Sequence, residues 1–191
     1  MYFAVGQAAA LRNGAQTAAD AAALGAAQDA RDQLRKGWLE VIGDPAQWPR
    51  FVQGEGYVPD LACQAAIAFA SANGARLVPE ECVTLERGFA VTVQTEENVG
   101  ESIVPGTGDL PAKATATAVV EPLCEFNPSE PSSEPSPEPD PSSTPSEDPE
   151  EEPLEPITGL ICAGESWEID PEKPELPGAD VLFRVRLTDD E

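Results

Sequence analysis

The sequence contains no histidine, and this absence removes several kinds of catalytic and metal-binding chemistry. Ser-His and Cys-His nucleophile pairs cannot form, and neither can zinc sites that use imidazole. Carboxylate pairs remain, such as Glu80 with Glu81 or Glu165 with Glu168, which could act as in glycoside hydrolysis. Because the chain has 35 acidic residues, such neighbours are expected by chance. We therefore expect a non-catalytic protein with no cofactor and no bound metal.

Basic residues are scarce in this chain. It has 11 Lys and Arg against 35 Asp and Glu, which gives a net charge of −24. A charge of this sign and size repels phosphate backbones and anionic lipid head groups. The composition therefore argues against nucleic acid as a partner, and it suits a protein that faces a cell wall or the surrounding medium.

The sequence also lacks a complete signal peptide or membrane span. Residues 1–11, MYFAVGQAAAL, are apolar, but a helix needs about 20 apolar residues to span a bilayer. This stretch has neither the basic start nor the cleavage pattern of a signal peptide. We expect it to be the end of a longer hydrophobic segment upstream, which would anchor the protein in the membrane.

Cysteines with the C-x-x-C spacing are absent, although the chain contains four cysteines. A zinc or iron–sulfur site is therefore not expected. The even number and wide spacing instead predict two disulfides and an oxidising compartment. The alternative is four reduced cysteines in the core of a cytosolic protein.

The N-terminal part of the chain is rich in alanine, which is the strongest helix former. No proline interrupts residues 2–42, so we predict one long helix there. Small residues recur at every fourth position, and such a ridge lets another helix approach closely. We predict that this ridge packs against a helix of another protein, the alternative being that its spacing merely reflects composition. The ridge consists of Gly6, Ala10, Gly14, Ala18, Ala22, Ala26 and Ala30.

A second helix is predicted after a proline-rich turn. Pro59 opens it, and it should cover residues 61–73, where an Asn-Gly pair is typical of a helix end. We expect Cys63, Ile67 and Ala70 to lie on its inward face, because their spacing follows the helical period.

Apolar residues that alternate with polar ones predict the strands of an antiparallel sheet. The predicted strands lie within residues 89–94, 112–124, 159–169 and 181–187. The chain is therefore predicted to be an α+β protein, with a long Ala-rich N-terminal helix followed by a small helix-plus-antiparallel-sheet head. Because the sheet resumes after a long insert, we expect one head domain rather than two.

The insert, residues 127–156, differs in kind from the rest of the chain. It contains 10 Pro, 10 acidic residues and 8 Ser or Thr, but no basic residue. Its one large apolar residue, Leu154, cannot offset the entropy of folding. We predict a disordered acidic linker, which divides the chain into a helix at 1–43, a head at 44–126 and the completing strands at 157–191.

The predicted elements favour one of the three possible disulfide connectivities. Cys63 lies near the start of the second helix, which leads directly to Cys82. Cys124 ends the strand before the insert, and Cys162 lies in the strand after it, so a bridge there would hold both strand ends in one sheet. We therefore predict the pairs Cys63–Cys82 and Cys124–Cys162.

Residues 6–31 read GQAAALRNGAQTAADAAALGAAQDAR, and the string NGAQTAADAAAL at 13–24 is the most specific part. This stretch resembles the helix that follows the membrane segment in TadE/TadG-like proteins of actinobacterial Flp pili. The resemblance is close over residues 1–35. The remainder is similar in layout, with a cysteine-bearing helix, the later Cys82 and a closing strand like that of streptomycete members.

The resemblance implies an accessory, pseudopilin-like role in Flp/Tad pilus assembly, without catalytic residues. Its expected partners are other pilin-like or Tad-assembly proteins, and its expected location is the cell membrane, with the soluble part outside the cell. The alternative function is a secreted adhesion module that binds a surface through its sheet face or through the loop at 98–111. In that case exposed tryptophans could contact sugar, namely Trp38, Trp48 and Trp167, although aromatic residues are more often part of the core.

Overall fold

The computed structural model describes residues 2–98, 111–128, 156–170 and 175–188. The first element is helix α1, Tyr2–Glu40, whose 39 residues span about 58 Å at 1.5 Å per residue. The predicted α+β class is confirmed, because this long helix is followed by a head of short helices and antiparallel strands. Most of the acidic insert and of the loop at 98–111 lies outside the described residues.

Short helices follow α1. A 3-10 turn at Pro45–Gln47 leads into α2, Trp48–Val52, and the second long helix is α3, Pro59–Ala72. Pro59 occupies the first turn of α3, where its missing N–H costs no hydrogen bond. Gly74, just beyond its end, has φ 68°, a left-handed conformation that glycine adopts without a steric penalty.

Within the described residues, seven strands form two antiparallel sheets. The larger sheet has the order β1-β2-β3-β7 and the smaller has the order β4-β5-β6. A short helix, α4, Ala179–Leu182, precedes the last strand. The strands are β1 Ala75–Leu85, β2 Gly88–Asn98, β3 Pro111–Pro122, β4 Cys124–Phe126, β5 Ile157–Cys162, β6 Glu165–Ile169 and β7 Phe183–Thr188.

Strand β1 was not predicted from the sequence, because its alternation is broken. Its register with β2 shifts between Leu77 and Cys82, so residues 78–81 bulge opposite Thr92 alone. Within the bulge Glu80 has φ 64°, which is uncommon for a residue other than glycine. The bulge hides the strand from a search for a period of two.

The expectation of one sheet is also wrong. The predicted strand at 112–124 ends at Pro122, and Cys124 begins β4 in the smaller sheet. The region at 159–169 forms a hairpin of two strands, β5 and β6, in that same sheet. Val181, predicted to start the last strand, lies in α4 instead.

The core lies between α1, α3 and one face of the larger sheet. Alanine fills most of the buried face of α1, and the buried row of α3 is Ala62, Ala66 and Ala70. Side chains this small let the two helices approach each other closely. The predicted inward face of α3 is therefore partly wrong, since Ile67 is 50% exposed while Ala70 is buried.

Both predicted disulfides are present in the structure. Cys63–Cys82 joins α3 to β1 with a Cα–Cα distance of 6.0 Å. Cys124–Cys162 joins β4 to β5, where the two residues are direct partners at 4.0 Å. The second bridge therefore holds the strand before the acidic insert to the strand after it, although within the smaller sheet.

Removing the disulfides should destabilise the head unequally. Loop-closure entropy predicts a loss of about 3 kcal/mol for C63A/C82A, whose loop is 19 residues, and about 4 kcal/mol for C124A/C162A, whose loop is 38 residues. The second loss should be larger still, because Cys124 and Cys162 are buried. Urea unfolding of the two double variants measures the order, and a greater loss for C63A/C82A would contradict it.

Candidate interaction surfaces

The first turns of α1 form the most distinctive surface, which we call the leading segment, residues 2–14. Among the side chains of the helix that the structure describes, Ala15 is the first that is buried, and about 20 Å of helix precedes it. Of the side chains described in this segment, Leu11 is half-buried and the others are exposed. The leading segment therefore offers a helical surface of small residues outside the head.

The small-residue ridge is divided between two environments. Its first members Gly6, Ala10 and Gly14 lie exposed in the leading segment. The others are fully buried against the protein's own head, which corrects the expectation that the whole ridge faces another molecule. The buried members are Ala18, Ala22, Ala26 and Ala30, each 0% exposed.

A cavity of about 510 Å³ opens where the leading segment meets the head. Ala10 and Gly14 line one side, and the end of β2 lines the other. Thr95 is 6% exposed there, and its hydroxyl donates to the Glu97 carbonyl at 2.8 Å and accepts from the Ala112 N–H at 3.0 Å. The wall of the cavity is therefore already hydrogen-bonded within the protein.

The tryptophans belong to the core rather than to a sugar-binding surface. Trp38 is 1% exposed and Trp48 is 0% exposed, and their rings pack edge to face at 5.3 Å. Trp48 also donates its indole N–H to the Val41 carbonyl at 3.1 Å and packs against Phe126 at 4.7 Å. Trp167 is half-buried. The interpretation of Trp38 and Trp48 as core residues is therefore confirmed, and these two side chains are not available for sugar contact.

The structure does not bring the candidate carboxylates together as a catalytic pair. Glu80 and Glu81 lie exposed in the bulge of β1, and Glu81 accepts a hydrogen bond from the Thr92 hydroxyl at 3.2 Å. Glu165 and Glu168 are exposed on β6, where a separation of three residues places them on opposite faces. Within the described residues, no three acidic or cysteine side chains form a group that could hold a metal.

The face of the larger sheet opposite the helices is open. Its register aligns Thr92 with Thr115, whose hydroxyls lie 2.9 Å apart. On the neighbouring strand β7, Arg186 donates to a Glu121 carboxylate oxygen at 2.7 Å. Arg184 is exposed on the same face. This end of the face is basic, in contrast to the acidic character of the whole chain.

Three large apolar side chains of α3 are partly exposed, which was not predicted from the sequence. Leu61, Ile67 and Phe69 are 48%, 50% and 44% exposed. Phe69 lies directly over Gly25 of α1, where a Cβ atom would meet its ring. The alanine-rich pattern of α3 does not distinguish its outer face from its inner one, so this exposure could not be predicted from it.

Among the helices that the structure describes, none has both the length and the apolar character that crossing a membrane requires. Comparison with family models, curated proteins and solved structures gives no match for this chain.

Because the ridge is divided, the same substitution should have different effects in its two environments. Ala22→Leu forces a larger side chain into a filled core and should destabilise the fold by about 1–3 kcal/mol. Ala9→Leu, in the exposed leading segment, is the control and should change stability by less than about 0.5 kcal/mol. Equal unfolding midpoints in urea would show that Ala22 is not in a packed core.

The pKa of the Glu121 carboxyl should depend on Arg186. The hydrogen bond from Arg186 is the main cause that lowers this pKa below its usual value. Burial opposes it, and the charges of Arg186 and Arg184 add smaller lowering effects. The ion pair therefore stabilises the fold above the usual carboxyl pKa, and this contribution is lost as pH falls through the lowered value.

An NMR titration of the Glu121 side chain tests this dependence. Arg186→Gln should raise the pKa of Glu121 towards its usual value, because both the hydrogen bond and one charge are lost. Arg184→Gln is the matched control and should raise it less, since Arg184 contributes charge alone. A larger rise in the Arg184 variant would mean that the hydrogen bond is not the main cause.

Proposed function

We propose that this protein is an accessory, pseudopilin-like structural subunit of a Flp/Tad pilus, without catalytic activity. The observation that carries the proposal is the division of α1 into a buried part and an exposed leading segment. A structural subunit of this kind needs a folded head and a helix that is free to contact other helices. Helix α1 meets both needs, because its later part packs into the head while its leading segment is exposed.

The chemistry of the leading segment supports helix-to-helix contact. Gly6, Ala10 and Gly14 recur at every fourth position and so lie along one line of the exposed helix. A Cβ added at Gly6 or Gly14 would meet no atom within 4 Å, so this line is not packed against the head, although Ala10 and Gly14 border the cavity beside the end of β2. Small residues in such a line let a second helix come close enough for backbone-to-backbone packing.

The sequence resemblance points to the same region. The string NGAQTAADAAAL at 13–24 covers the point where the exposed part of α1 becomes the buried part. We propose that the leading segment continues an upstream membrane helix and that other pilin-like or Tad-assembly proteins are its partners. The two disulfides of the head suit display outside the cell, where thiols are oxidised.

Substitutions in the leading segment test the proposal. Gly6→Leu and Gly14→Leu should reduce co-purification of pilus components from cells, because a leucine keeps a second helix at a distance. The head should remain folded, since neither position contacts it. Gln28→Leu, at an exposed position on the buried part of α1, is the control and should leave co-purification unchanged.

Two results would refute this role. One is unchanged co-purification in both glycine variants, and the other is an equal loss in the Gln28 control. Circular dichroism and the thermal midpoint of each purified variant separate a loss of partners from a loss of fold.

The alternative function, a secreted adhesion module, depends on the open face of the larger sheet. This face carries the paired threonines Thr92 and Thr115 and the basic residues of β7. An adhesion role predicts that surface binding survives Gly14→Leu and is lost on substitution of Arg184. The reverse pattern favours the pilus subunit.

A further inference from the structure

The larger sheet has two edge strands, and they differ in how well they are closed. The edge strand β1 contains the bulge at residues 78–81, with Pro79 inside it and Glu80 at φ 64°. Bulges, prolines and charged residues are the features by which edge strands prevent the addition of a further strand. The Cys63–Cys82 bridge also fixes this strand to α3. The β1 edge is therefore closed.

The other edge strand, β7, carries two charged residues, Arg184 and Arg186, but it has no bulge, no proline and no disulfide. It pairs with β3 without a register shift, from Pro122 opposite Phe183 to Thr117 opposite Thr188. It contains neither proline nor an acidic residue. No described strand pairs with its outer side.

The direction of its free hydrogen-bonding groups follows from the register. The Val120 N–H donates to the Arg87 carbonyl, on the side of β3 that faces β2. Val120 is therefore not hydrogen-bonded to its β7 partner Val185. Val185, and Leu187 two residues further on, turn their N–H and C=O groups away from β3 and towards the outer side.

The side chains of β7 alternate in the same way. Val185 and Leu187 lie on the face that packs against the core, but both are only partly buried. Arg184 and Arg186 lie on the open face, where Arg186 is paired with Glu121. A further strand beside β7 would thus meet apolar side chains on one face and two arginines on the other.

We propose that β7 accepts an extended segment of a partner protein, which adds to the sheet as a further strand and carries acidic residues at alternate positions. Main-chain hydrogen bonds to Val185 and Leu187 would hold the segment, and its acids would lie beside Arg184 and Arg186. This inference does not depend on the proposed pilus function.

Two other occupants fit less well. The acidic insert at 127–156 contains 10 prolines, which lack the N–H that a ladder requires. A second copy could pair its own β7 antiparallel to this one. If the two strands paired along most of their length, Arg184 of one copy would lie opposite Arg186 of the other, or the two Arg186 residues would lie opposite each other. Like charges in direct opposition destabilise a sheet.

The experiment uses a fluorescein-labelled peptide of ten residues in which Glu alternates with Val and Thr. Binding to the full chain is measured by fluorescence anisotropy. Val185→Pro should weaken binding about threefold to tenfold, because it removes one outward N–H and leaves the pairing with β3 intact. The matched control is Thr84→Pro, on the closed edge β1, and it should leave binding unchanged.

Two further probes keep the test decisive if Val185→Pro lowers the thermal midpoint. The same peptide, N-methylated on the residues that face β7, should lose binding to the unmodified protein. A peptide with Lys in place of Glu should bind at least about tenfold more weakly, because it faces Arg184 and Arg186.

Three results would overturn the proposal. Equal binding of the methylated peptide would exclude strand addition, and equal binding of the Lys peptide would exclude an acidic partner. A dimer in sedimentation that Val185→Pro dissociates would assign the edge to a second copy instead. Increased hydrogen-exchange protection of the Val185 and Leu187 amides on peptide binding is the positive result.

Discussion

The close packing of the alanine face of α1 determines how the rest of the head is arranged. Alanine side chains let α1 lie near both α3 and the larger sheet, but each buries little apolar surface. The larger side chains of the core are therefore concentrated elsewhere, at the C-terminal end of α1. There Trp38, Trp48 and Phe126 form an aromatic cluster. The two disulfides then restrict the unfolded chain, which compensates for a core made largely of small residues.

The same composition explains why one part of the sequence analysis succeeded and another did not. The absence of proline and the high alanine content predicted α1 to within two residues of its observed end, Glu40. They could not predict where burial begins, because the ridge is chemically uniform from Gly6 to Ala30. Burial starts at Ala15 because the described part of the head packs closely against the helix only from there on, and that is a tertiary property.

The strands show the same limit from another direction. The start of α3 and both disulfide pairs were predicted correctly. Those predictions relied on signals that are close together in the sequence or that lie in adjacent elements. Strand β1 was missed because its bulge breaks the alternation on which strand prediction relies. The division into two sheets depends on where the chain turns between Pro122 and Cys124, which leaves no mark in the local pattern.

The bulge that hid β1 also gives the larger sheet its asymmetry. It lets Cys82 reach Cys63, so the edge strand is joined to α3 and its backbone departs from a regular ladder. The opposite edge has no comparable constraint, since β7 follows α4 and pairs with β3 alone among the described strands. The leading segment and the edge strand β7 therefore both lie at the boundary of the packed head. The leading segment and the outer side of β7 are therefore surfaces that neither the alanine core nor the two disulfides cover.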